Sequence, residues 1–127
     1  MESQNALKVR DITRVLEVWA PPVLQESYDN SGLLVGAPNA KVTKVLVSLD
    51  CTEDVIAEAE QVGAEMIVSP HPIIFPGVKS LTGRNYVERT VLRAIKSGIA
   101  LYAIHTNLDN VITGVNQELA TALGCTP

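Results

Sequence analysis

The sequence predicts an α/β protein, a mainly parallel sheet with helices on its faces, and three observations predict it. From residue 45 onward, short apolar runs alternate with segments of helical periodicity. The runs are almost continuously apolar, as expected of strands buried on both faces of a parallel sheet. Capping residues and glycines fall between them, where helices start and stop. At 127 residues, with 46% hydrophobic and 19% charged, the chain suits a single domain over 1–127 that buries a sizeable core.

Each element has its own signal. Ile12, Val15, Leu16 and Trp19 recur at helical spacing, and Pro21-Pro22 close that helix. Tyr28-Asp29-Asn30-Ser31-Gly32 is rich in turn formers and precedes the apolar run Leu33-Leu34-Val35. Gly36-Ala37-Pro38-Asn39 reads as a turn. Val45-Leu46-Val47-Ser48-Leu49 predicts a buried strand ending at Asp50. Thr52 can cap a helix with inner face Val55, Ile56, Ala59 and Val62, stopped by Gly63.

Met66-Ile67-Val68 predicts a second strand, leading into Ser69-Pro70-His71-Pro72. Beyond a loop with Pro76, Gly77 and Gly83, a helix is expected over about 85–97, closed by Gly98, with apolar face Val87, Val91, Leu92 and Ile95. A third strand over 99–104 ends at His105, and a last helix over about 114–123 stops at Gly124. Strands joined by crossover helices run parallel, with right-handed connections. Asp50, His71, His105 and Asp109 then share the carboxyl edge of the sheet, where such folds gather their chemistry.

Composition excludes several functions. The net charge is −4 and the ten Lys and Arg are scattered, so no nucleic-acid surface is expected. No apolar run approaches the roughly 20 residues of a membrane span, and no signal-peptide core is visible. Cys51 and Cys125 are too few and too far apart for a disulfide framework or a CxxC site, which points to a reducing, cytoplasmic setting. Dinucleotide, P-loop and serine-hydrolase motifs are absent.

Both histidines follow strand-like apolar runs. His71 lies between two prolines, a rigid setting that suits a preorganised ligand and equally a turn histidine bonded to nearby backbone. His105 and Asp109 stand four residues apart directly after a strand. They suit a metal or proton-transfer site, or a strand-end residue and a cap. Asp50 sits at a helix start, where a carboxylate favours the dipole, and reads as a capping residue. Cys51 reads as a small buried hydrophobe, and Tyr86 and Tyr102 as packing residues.

Four segments in order resemble the NIF-three-like family, also called GTP cyclohydrolase 1 type 2 homologues. They are Ala20-Pro21-Pro22-Val23-Leu24-Gln25-Glu26-Ser27-Tyr28-Asp29-Asn30-Ser31-Gly32-Leu33, Ser69-Pro70-His71-Pro72-Ile73-Ile74-Phe75, Asn85-Tyr86-Val87-Glu88-Arg89 and Ile104-His105-Thr106-Asn107-Leu108-Asp109-Asn110. The resemblance implies the first half of that family's α/β fold and a dinuclear metal centre. It also implies hydrolase activity on a small molecule and assembly as a ring-shaped homohexamer. It implies His71 and Asp109 as metal ligands and His105 as a neighbouring histidine with a catalytic, proton-transfer role. Zinc, iron and manganese are not distinguished.

Two departures set expectations for this chain. Pro70 stands where the family has the first histidine of its His-His-Pro motif, and the family's C-terminal His and Glu ligands have no counterpart here. The expectation is at most one loosely held divalent metal and no efficient turnover by this chain alone. A second reading makes the chain a non-catalytic metal- or metabolite-binding or assembly module.

Overall fold

The computed structural model describes residues 6–20, 32–71 and 80–104. In chain order these form α1 (Val9–Trp19), β1 (Gly32–Val35), β2 (Val45–Val47), α2 (Glu53–Val62), β3 (Met66–Ser69), α3 (Tyr86–Ser97) and β4 (Ala100–Ala103). The strands make one sheet in the order β1-β4-β3-β2. Three strands are parallel: β2 pairs with β3 from Val45 opposite Met66, and β3 with β4 from Met66 opposite Ala100. β1 closes the other side antiparallel to β4, with a register shift between Leu33 and Val35. The expectation of a mainly parallel sheet between helices is met.

The period of two along each strand divides the core into two layers. Ile67 and Leu101 face the layer that holds Ile56 and Ala59 of α2 and Val91 and Ala94 of α3. Met66, Val68, Ala100 and Tyr102 face the opposite layer, against Val9, Ile12 and Leu16 of α1. Fully buried side chains such as Ile56 and Met66 each contribute about 1.5–3 kcal/mol. On the outside of the first layer, Arg89 and Arg93 of α3 reach Glu53 and Glu60 of α2 at 2.9 and 2.6 Å.

The helix limits agree with the predicted signals. The Thr52 hydroxyl accepts from the Val55 amide, and the Asn85 side chain accepts from the Glu88 amide. Gly63 and Gly98 end α2 and α3 in the left-handed conformation. Gly36 is needed for a second reason besides its φ of +116°. A Cβ there would lie 2.7 Å from the Cβ of Ala100, so the turn after β1 can press on the start of β4 only without a side chain.

Several expectations are corrected. The strand at residue 45 is three residues long and lies at an edge of the described sheet, not buried inside it; Val47 is 75% exposed. Having one neighbour instead of two leaves its outer residues to solvent. α3 turns Glu88, Thr90, Val91 and Ala94 inward and exposes Ile95. Val15 and Trp19 of α1 and Val62 of α2 are likewise exposed, because only one stripe of each helix meets the sheet. Tyr102 is buried in the core as expected, whereas Tyr86 is exposed. The helix expected over 114–123 lies outside the described residues.

Candidate functional site

The carboxyl edge is assembled by the register of the parallel strands. Val47 lies opposite Val68, and pairing continues past the strand ends, with the Ser48 amide on Val68 O at 3.1 Å and the Ile104 amide on Ser69 O at 3.0 Å. The ends of β2, β3 and β4 therefore stand side by side. The segments leaving these three strands all emerge at one edge.

Two of those ends use the same device. The Ser48 hydroxyl donates to the carbonyl of Asp50 at 2.7 Å, and the Ser69 hydroxyl donates to the carbonyl of His71 at 3.2 Å. A short hydroxyl that bonds the backbone two residues on folds the chain into a tight turn. Each turn delivers one polar side chain, and the two meet: His71 Nδ1 lies 2.5 Å from Asp50 Oδ1. The side chains are 54% and 59% exposed. At that exposure the pair contributes little to folding, so its main physical effect is to orient the imidazole.

This corrects the reading of Asp50. The cap of α2 is Thr52, two residues later, and the Asp50 carboxylate is turned to His71 instead. The signal that could have found it is the repeat Ser-Leu-Asp and Ser-Pro-His at the ends of successive strands. Cys51 behaves as expected: it is buried, and burial pushes its thiol up to about 11. Such a thiol is neither a ready metal ligand nor a nucleophile.

The structure brings together Asp50 and His71, and it places Ile104, the residue before His105, against the end of β3. His105 and Asp109 themselves lie outside the described residues, so their roles rest on the sequence. Among the described residues no three His, Cys, Asp or Glu side chains gather to hold a metal. His71, with a carboxylate on Nδ1, has the donor chemistry of a single metal-ligating imidazole. Pro70 offers no side-chain donor. The described residues thus fit one ligand of a metal centre and not an adjacent histidine pair.

The segment Asn85-Tyr86-Val87-Glu88-Arg89 is structural. The buried Glu88 carboxylate accepts the backbone amides of Thr82, Gly83 and Arg84 and the hydroxyl of Thr82 at 2.9–3.4 Å. Asn85 caps the helix and also donates to Glu88, while Arg89 pairs with Glu53. The amide of Thr82, against the opposing effect of burial, together with the amide of Arg84, the hydroxyl of Thr82 and the Arg84 charge, holds the Glu88 carboxyl below the usual carboxylate range. A cavity of about 340 Å³ lies at the opposite end of β4, lined by Val35, Gly36, Ala94, Ile99 and Ala100. Its apolar lining offers no reactive group.

Fold and site together define an α/β protein that keeps its polar chemistry at the carboxyl edge of a mixed sheet. The family model described as Duf34/NIF3 (NGG1p interacting factor 3) matches residues 7–127, and the chain belongs to that family. A GTP cyclohydrolase 1 type 2 homolog of Clostridium perfringens is 42% identical over 118 residues, covering 93% of this chain and 45% of the relative. Its counterpart in Lactococcus lactis is 41% identical over 120 residues, 94% of this chain and 47% of the relative. The chain spans less than half the length of these two curated relatives.

Among solved structures, Staphylococcus aureus protein SA1388 superposes with a TM-score of 0.89 at 41% identity, over 96% of this chain and 35% of that one. Reduced HcgD from Methanocaldococcus jannaschii gives 0.83 at 31% identity, over 91% and 46%. Among the described residues no helix is long and apolar enough to cross a membrane.

Proposed function

We propose that the chain carries part of a metal-dependent hydrolase site of the kind borne by GTP cyclohydrolase 1 type 2 homologues. The observation that supports this most is the imidazole of His71, held by a carboxylate at the carboxyl edge and beside the end of β4. In this reading His71 and Asp109 bind a divalent cation, and His105 stands next to them to move a proton. A bound divalent metal supplies Lewis acidity and an activated water. The substrate is a small molecule. The relatives' name suggests a nucleotide, although the sequence holds no phosphate-cradling motif. Homo-oligomeric assembly in a cytoplasmic setting completes the proposal.

Two protein ligands with water completing the shell bind a cation weakly. Isothermal titration with Zn²⁺ or Mn²⁺ is expected to show at most one loosely held ion per chain. Two tightly held ions would overturn the ligand assignment. Light scattering on a dilute sample is expected to show self-association, and a clean monomer would count against it.

Pro70 is the observation behind the second reading, a non-catalytic binding or assembly module. The change Pro70→His separates the two. A gain in metal affinity of about tenfold or more identifies a disabled metal centre, on the scale by which ligand surroundings alter affinity. An unchanged affinity favours the module.

A further inference from the structure

We propose that Asp50 is a positioning residue for His71, fixing both the direction of the ring and the tautomer that aims Nε2 at a divalent cation. The inference rests on the metal reading of His71 and adds to it a residue outside the ligand set. A carboxylate only accepts hydrogen bonds. At 2.5 Å from Asp50 Oδ1, Nδ1 therefore carries a proton, and in the neutral ring the lone pair is then on Nε2. A carboxylate behind a metal-bound imidazole sets its tautomer and raises its basicity.

The surroundings argue that the contact is built for this purpose. Asp50 is released from capping because Thr52 caps α2. Its backbone is fixed independently of its side chain, since the Ser48 hydroxyl bonds the Asp50 carbonyl. His71 is fixed in the same manner by Ser69. Two rigid turns from adjacent parallel strands thus present complementary side chains to each other. More than half of each side chain remains in solvent, so folding does not explain the pairing.

The test uses the whole chain, which has two histidines. Long-range ¹H–¹⁵N correlation spectra of the metal-free protein at about pH 8, where an ordinary imidazole is neutral, report each tautomer, and His71→Ala assigns the signals. The expected result is an Nδ1–H tautomer for His71. In Asp50→Ala the signal should shift toward the Nε2–H form ordinary for a solvated imidazole. The Zn²⁺ affinity should fall about 10- to 100-fold, with the His105 signal and the circular dichroism unchanged.

A His71 tautomer that is the same in Asp50→Ala as in the parent overturns the inference. A Zn²⁺ affinity untouched by His71→Ala overturns the metal reading instead. Because the spectra are taken without metal, the two failures are told apart.

Discussion

Glu88 and Asp50 are both carboxylates beside the start of a helix, and they are used in opposite ways. Glu88 is 4% exposed and gathers three consecutive backbone amides, a hydroxyl and a side-chain amide. Asp50 is 59% exposed and holds one imidazole. Buried amides left without acceptors are costly, so the loop over 82–85 depends on Glu88. Nothing in the core depends on Asp50. Burial thus separates the acid that maintains the fold from the acid available for chemistry, where local sequence suggests capping for one and a family motif for the other.

The comparison is broken most easily at Glu88. Glu88→Gln is expected to lower the thermal midpoint by several degrees at neutral pH, because an amide cannot accept all of the donors converging there. The sign with pH comes from the depressed carboxyl of the folded state. Its stabilisation is present above the unfolded value, about 4.3, and is lost as pH falls through the lower folded value. The gap between parent and Glu88→Gln in a thermal melt should therefore close on acidification below about pH 4. A gap that stays constant down to about pH 2 would falsify the assignment.

A smaller effect is expected at Asn85, which caps α3 and also donates to Glu88. Asn85→Ala should cost about 1 kcal/mol in urea unfolding, and most of that loss should persist if Glu88 is already Gln, since the cap bond goes to the backbone amide of residue 88. At the other pole, Asp50→Ala and His71→Ala should each change stability by no more than about 0.5 kcal/mol. A large loss in either would move Asp50 into the same structural role as Glu88 and remove the contrast.

Much of the fold was legible in the sequence because its signals are local. Thr52 and Asn85 mark where α2 and α3 begin, Gly63 and Gly98 mark where they end, and the runs at 66 and 100 are apolar throughout. Less legible was what depends on neighbours. The run at 45 reads like the others, yet lies at a sheet edge with Val47 in solvent. The inward face of α3 includes Glu88, which hydrophobic periodicity assigns to the outside. His71 was found as a candidate from its place after a strand. Asp50 was placed on the same edge but read as a cap, because its contact with His71, 21 residues away in sequence, is set by strand register and not by local sequence.

Cys51 sits within the layer between α2 and the sheet, its thiol buried and pushed up to about 11. A thiol of that kind is a poor nucleophile while covered and an ordinary one once exposed. Its rate of alkylation then counts how often this layer of the protein opens, as an intrinsic clock of local unfolding. Since Cys51 adjoins Asp50 in the chain, the same clock reports whether a cation bound at the neighbouring edge slows those openings.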